Sequence, residues 1–182
     1  VNTVAEHAAV FPPRACVHTC AMDTPDYQRS PFSLALSVIV VAADSGPELR
    51  ECVRLILACS LPLELILVDN ASRDGIPQAI ARAYQQDARL KVIYSHRNLG
   101  FGPAVNLGAK QAHGHALLIL NPDCLPSESD LQRLLALQAS RPKAGLIGAV
   151  VCDADGRPDP ASWRRDPLLR RSLNTMLGRP GE

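Results

Sequence analysis

Ser37-Val38-Ile39-Val40-Val41-Ala42 is a near-continuous run of apolar, mostly β-branched residues. A run of this kind predicts a strand buried on both faces. Leu49, Cys52, Val53, Ile56 and Leu57 follow it at helical spacing, one apolar stripe, and Pro47 is suited to the first turn of that helix. The same alternation then repeats. Leu63 to Val68 is a second buried strand, and Ile76, Ile80, Ala83 and Tyr84 mark a second helix. Leu90 to Tyr94 is a third strand, with a helix from about Pro103 to His113. Ala116 to Leu120 is a fourth, before a helix capped by Ser127 and carrying Leu131, Leu134, Leu135 and Gln138 on one side. Leu146 to Val151 is a candidate fifth strand. Strands alternating with helices predict an α/β fold, a mostly parallel, Rossmann-like sheet flanked by helices.

Ligands of such sheets bind beyond the carboxyl ends of the strands. Asp44, Asp69, Asn98 and Asp123 each follow a strand, so acidic and amide side chains gather at that edge. Asn121-Pro122-Asp123 ends the fourth strand, since proline cannot donate to a ladder. Hard cations such as Mg²⁺ or Mn²⁺ take oxygen ligands and often only one or two carboxylates, the rest being phosphate and water. One aspartate beside a diphosphate is then sufficient; the structural alternative is an Asp-containing turn. Asn98-Leu99-Gly100-Phe101-Gly102-Pro103-Ala104-Val105-Asn106-Leu107-Gly108 joins the third strand to a helix. Glycines there admit close backbone approach, and a helix N-terminus suits an anion; the alternative is a tight turn. The loop does not match the dinucleotide fingerprint, which follows the first strand and precedes its acidic residue. That order argues against a nucleotide-dependent oxidoreductase. In Val68-Asp69-Asn70-Ala71-Ser72-Arg73-Asp74-Gly75, Asp69 is the candidate contact to a base or ribose. Asp74-Gly75 reads as a turn, with Ser72 or Asp74 capping the next helix.

Taken in this order, the three segments resemble the family 2 glycosyltransferases of GT-A fold, and most closely the rhamnosyltransferase-like branch. That branch carries Val-Asp-Asn-Ala-Ser-x-Asp-Gly, then Asn-x-Gly-Phe-Gly-x-Ala-x-Asn-x-Gly, then Leu-Asn-Pro-Asp. The resemblance covers roughly residues 36 to 170. It implies an inverting transfer of a sugar, rhamnose for example, from a nucleoside-diphosphate sugar to a glycan or lipid-linked acceptor. The setting it implies is cell-surface polysaccharide synthesis. It also implies a nucleotide-sugar site formed by Asp44, Asp69, Asn98, Gly100, Gly102, Asn106 and Asn121. Asp123 would hold Mg²⁺ or Mn²⁺ on the diphosphate, offsetting the charge of the departing nucleotide. Two features depart from the family. Ala42-Ala43-Asp44 stands where an aromatic or polar residue usually meets the base, leaving Asp44 to reach the ribose. No Glu-Asp segment for the general base is found after Val151, and the family's second half, with its acceptor site, is absent from the 182 residues. The alternative is therefore an inactive nucleotide-binding remnant.

Composition sets outer bounds. Of the chain, 47% is hydrophobic, 20% charged and 4% aromatic, an ordinary globular balance. A net charge of +1 gives no field for nucleic acid. No run reaches the ~18–20 apolar residues of a membrane span, and no signal peptide is evident, so a cytoplasmic setting with reduced cysteines is expected. Cys52 and Cys59 are expected as core residues; Cys16-Val17-His18-Thr19-Cys20 lacks the second pair of a zinc site. The expected organisation is an irregular extension over 1–33, a nucleotide-sugar-binding domain over 34–152 and a connecting stretch over 153–182. The arginines between Arg164 and Arg171 are expected to be solvated, the alternative being contact with an anionic donor or the inner membrane face.

Overall fold

The computed structural model describes residues 3–9 and 34–152. The chain forms β1 (Thr3–Ala9), β2 (Leu36–Ala42), α1 (Glu48–Ala58), β3 (Leu63–Asp69), α2 (Ile76–Ala83) and β4 (Leu90–Tyr94). It continues with α3 (Phe101–Ala109), β5 (Ala116–Leu120), α4 (Glu128–Ser140) and β6 (Gly148–Cys152). The four apolar runs read from the sequence form one parallel sheet in the order β4-β3-β2-β5. All seven residues of β2 are buried, as expected of a central strand with layers on both sides.

Alternation along the strands separates two cores. Val38, Val40, Leu65, Leu67 and Leu120 face α1, α2 and α4, where Leu49, Ile56, Ile80 and Leu131 meet them. Ile39, Val41, Ile66 and Val68 face α3 through Ala104 and Val105. Gly108 permits the close seat of α3: an added Cβ would lie 2.8 Å from Ile39 Cγ2 and 3.2 Å from Val68 Cγ2. On β5 this second face is bare, leaving Leu117 52% and Ile119 50% exposed. Cys52, Cys59, Cys124 and Cys152 are buried free thiols, so Cys52 and Cys59 serve as core residues.

The amino end of the sheet is closed by polar bonds. Glu64 Oε1 accepts from Ser37 Oγ and from the His113 N–H, both at 2.6 Å. Ser37 Oγ accepts from the Gly114 N–H at 2.8 Å. The bonds to Glu64 outweigh its burial, which alone would raise the pKa, and hold the carboxyl below its ordinary 4.5. Arg89 reaches back from the start of β4 to the C-terminal carbonyls of α1, donating to Leu57 O at 2.6 Å and Cys59 O at 3.1 Å. Ser127 caps α4 in a reciprocal capping box with Asp130.

Two features differ from the sequence reading. Within the expected irregular extension over 1–33, Thr3–Ala9 is a strand, paired antiparallel with β6 from Thr3↔Cys152 to Ala9↔Gly148. Its alanines, glutamate and histidine carry no strand period, so the pairing is set by the partner strand. The candidate fifth strand forms as β6 but leaves the parallel sheet and makes a two-stranded sheet with β1. Cys16–Cys20, the Arg164 to Arg171 stretch and the region 153–182 lie outside the described residues.

Candidate functional site

The sheet fixes where a ligand can sit. Strand order runs outward from β2 through β3 to β4 and then reverses to β5. The helices α1 and α2 lie on one face and α3 on the other, so a crevice opens between the carboxyl ends of β2 and β5. Val40 pairs with Leu120, which brings Asn121 level with Val41 and sets the Asn121-Pro122-Asp123 turn beside the Ala43-Asp44 loop.

The turn after β5 is anchored from beneath. The Asn121 carbonyl accepts the Cys124 N–H at 3.1 Å and faces Cys52 Sγ of α1 at 4.0 Å. Burial, then the neighbouring Cys124 and then the charge of Asp123, push the Cys52 thiol up to about 12. It is thus a packed, unreactive thiol. Asp123 itself is exposed and has no hydrogen-bond partner among the described residues. Its carboxylate is therefore a free oxygen donor at this edge among the described residues.

The loops after β2 and β3 are tied to each other. Asp44 has a left-handed backbone at φ 53°, and its Oδ1 accepts the Arg73 N–H at 2.5 Å and the Asp74 N–H at 3.2 Å. In return, Ser72 Oγ accepts the Asp44 N–H and Asp74 Oδ2 the Gly46 N–H, both at 3.3 Å. Ala71, at φ 64°, is also left-handed. Asp74 Oδ1 accepts from the Ile76 N–H at 3.0 Å and so steadies the start of α2. Asp69 is 3% exposed; its Oδ1 accepts the Ser72 N–H at 2.8 Å and its Oδ2 the Gln78 amide at 2.9 Å. Asp44 and Asp69 both spend carboxylate oxygens on loop geometry, a use their positions at strand ends did not reveal.

The glycine-bearing loop is built on a residue outside the expected set. Asn70 is 2% exposed, and its backbone N–H bonds the Ala42 carbonyl at 2.8 Å. Its Oδ1 accepts the Leu99 N–H at 2.8 Å, and its Nδ2 donates to Asn98 Oδ1 at 3.0 Å and the Gly100 carbonyl at 3.5 Å. Asn98 Oδ1 also accepts the Gly100 N–H at 2.8 Å. Gly100, at φ 81°, turns the chain into α3 without a side-chain cap. The Phe101 and Gly102 N–H groups are left without a bond among the described residues, and Pro103 has no N–H. Those two groups and the positive end of α3 are the anion-attracting feature of the edge. Asn106 lies further along, exposed on the second turn of α3. The signal for Asn70 was its place directly after a buried strand in Val68-Asp69-Asn70.

The described residues hold no group of three His, Cys, Asp or Glu side chains able to bind a metal unaided. The fit is to a cation that takes one carboxylate from Asp123 and its remaining oxygens from phosphate and water.

The comparisons with known proteins bear on the family and the fold. The model of Glycosyl transferase family 2 matches residues 37–178. A Mycobacterium tuberculosis N-acetylglucosaminyl-diphospho-decaprenol L-rhamnosyltransferase is 30% identical over 155 residues, 79% of this chain and 50% of that protein. An undecaprenyl-phosphate 4-deoxy-4-formamido-L-arabinose transferase of Pseudomonas aeruginosa is 28% identical over 75% of this chain and 40% of its own length. Among solved structures, a Pyrobaculum calidifontis mannosyltransferase in complex with GDP-Man and Mn²⁺ superposes with TM-score 0.54 at 26% identity, covering 59% of this chain and 33% of that one. TarS of S. aureus with UDP-GlcNAc gives 0.53 at 27% identity, over 59% and 32%. The chain thus spans about half the length, or less, of these relatives.

Proposed function

The chain belongs to glycosyl transferase family 2, and from that we propose that it is the donor-binding part of an enzyme moving a sugar from a nucleoside-diphosphate sugar to a glycan or lipid-linked acceptor. The observation that carries the reading is the carboxyl edge of the sheet, which presents an exposed, unbonded Asp123 after β5 and the free N–H groups that open α3 after β4. Its solved neighbours, which share the GT-A arrangement, were crystallised with GDP-Man and UDP-GlcNAc, which supports a nucleotide-sugar ligand here.

In this reading the loops 44–46 and 70–74 receive the nucleoside, and Asn98 to Gly102 line the diphosphate. Asp123, with Asn121 beside it, would hold Mg²⁺ or Mn²⁺ at the diphosphate. When bound, such a cation supplies charge neutralisation for the leaving nucleoside diphosphate. The exposed Phe101 and Gly102 N–H groups add fixed positive potential for the same oxygens. Rhamnose is the sugar suggested by the mycobacterial relative, and a lipid-linked acceptor is suggested by both relatives. A cytoplasmic setting at the inner membrane face and a role in cell-surface polysaccharide synthesis complete this proposal. No helix among the described residues is long and apolar enough to cross a membrane. The family match and relatives that are themselves transferases support a glycosyltransferase over an inactive remnant.

Thermal unfolding with UDP, GDP or dTDP, each with and without Mn²⁺, tests the reading. A ligand at about 100 times its dissociation constant adds roughly 2.7 kcal/mol. The expected result is a rise in Tm that requires both nucleotide and metal and is lost in Asp123→Ala. A cooperative transition that no nucleotide moves would overturn the reading, and an unchanged shift in Asp123→Ala would remove the metal role.

A further inference from the structure

The sequence motifs single out the glycines and the strand-end aspartates, yet the side chain joining the loops at this edge is Asn70. We propose that Asn70 is a positioning residue for the donor: its buried carboxamide, bonded to Asn98 and Leu99, sets the Asn98–Gly102 backbone against the diphosphate. The proposal rests on the donor-site reading above and adds a role that none of the candidate contact residues supplies.

Geometry separates this role from direct contact. At 2% exposure Asn70 presents almost no surface to a ligand. All three of its side-chain bonds go to residues 98–100, which lie in the loop after a different strand. Its backbone N–H meanwhile ties it to the end of β2 through Ala42 O. The residue therefore spans three strand ends: it follows β3, is fixed to β2 and carries the loop after β4.

The chemistry of the side chain matters. The carboxamide offers an acceptor to the Leu99 N–H and donors to the Asn98 and Gly100 oxygens. An aspartate in its place would keep the acceptor but set a carboxylate against two oxygens. A leucine of similar size would leave the part-buried Leu99 N–H without its partner. Because the Leu99 N–H is taken by Asn70 Oδ1 and the Gly100 N–H by Asn98 Oδ1, the next two N–H groups, of Phe101 and Gly102, are the ones free to turn outward. Loss of the carboxamide would return Leu99 and Gly100 to other partners and disperse that pair. The nucleoside side of the crevice, held by Asp44, Ser72 and Asp74, uses none of these bonds.

The test is binding by the full chain of UDP, GDP and dTDP with Mn²⁺, beside the matching monophosphates. Asn70→Ala should weaken the diphosphate that binds best by about tenfold, equivalent to about 1.4 kcal/mol, and shift the monophosphate by less than about twofold. Equal affinity for the diphosphate overturns the positioning role and leaves the donor site standing. Equal losses for both nucleotides also overturn it, since that is the signature of general loosening. A wild-type chain that binds no nucleotide overturns both readings. Should Asn70→Ala fail to fold, Asn70→Asp carries the same expectation. Amide hydrogen exchange on the unsubstituted chain gives an independent check: the Leu99 amide should be protected, and exchange at the rate of a free loop amide would overturn the bridge.

Discussion

Gly108 of α3 lies so close to Ile39 of β2 that a methyl group on it would come within 2.8 Å of Ile39 Cγ2. Both neighbours of that methyl are β-branched side chains in a buried core, with little freedom to move aside. Gly108→Ala gains about 1 kcal/mol of helix propensity and meets overpacking of about 1–3 kcal/mol. The expected outcome is a net loss of stability in urea unfolding, with α3 lifted from the sheet. A variant as stable as the parent would show that the helix can shift without cost.

Asp44 joins the loops after β2 and β3 through two accepted N–H bonds. Asp44→Ala removes both bonds and leaves a left-handed residue without the local bonding that tolerates it. Stability should fall by about 1–2 kcal/mol. Asp44→Asn keeps an acceptor and the left-handed tolerance and should lose less than half of that. The reverse order in thermal melts would mean that charge, not loop bridging, is what Asp44 contributes.

Arg89 closes the C-terminal end of α1 by donating to Leu57 O and Cys59 O while paired with Asp87. Arg89→Ala should cost about 1–3 kcal/mol, the range for hydrogen bonds from a charged donor. Arg89→Lys should recover little of it, because a single ammonium lacks the planar fork that reaches all three partners. Full recovery by lysine, measured by denaturant midpoint, would refute the geometric account.

Glu64 links β3 to Ser37 and His113, and its carboxyl sits below the ordinary 4.5. A depressed folded value means the ionised form is favoured by folding. The stabilisation is complete above about pH 4.5 and disappears as the pH falls through the lowered value. Glu64→Gln should therefore melt lower than the parent near neutrality, with the gap narrowing below pH 4.5. A gap that stays constant down to strong acid would rule the ionised carboxylate out as its source.

The legible part of the fold is the part whose signal is local. Buried β-branched runs such as Val38–Val41 and the helical stripe from Leu49 to Leu57 declare themselves within a few residues, and the structure follows them. Thr3–Ala9 does not, because its strand exists through a partner almost 150 residues away. β6 was readable as a strand but not as one that leaves the parallel sheet, since register and neighbour are tertiary choices. At the candidate site, the motifs located loops that the structure gathers at the carboxyl edge of the sheet. They did not reveal that Asp69 would turn both oxygens toward Ser72 and Gln78, nor that Asn70 would carry the neighbouring loop. Side-chain bonds between loops depend on distances that no spacing along the chain encodes.

The polar closure around Glu64, Ser37 and Gly114 has a consequence for engineering. It lies at the amino end of the sheet, one strand length or ~20 Å from the crevice, and shares no hydrogen bond with the loops there. Under the proposed reading, durability and ligand choice are thus written at opposite ends of the same strands. A library aimed at residues 36–37, 62–64 and 113–115 can search for heat tolerance with the recognition surface untouched. At the other end the side chains that brace the loops are also the candidate ligand contacts, so under the proposed reading each gain in rigidity is also an edit to selectivity.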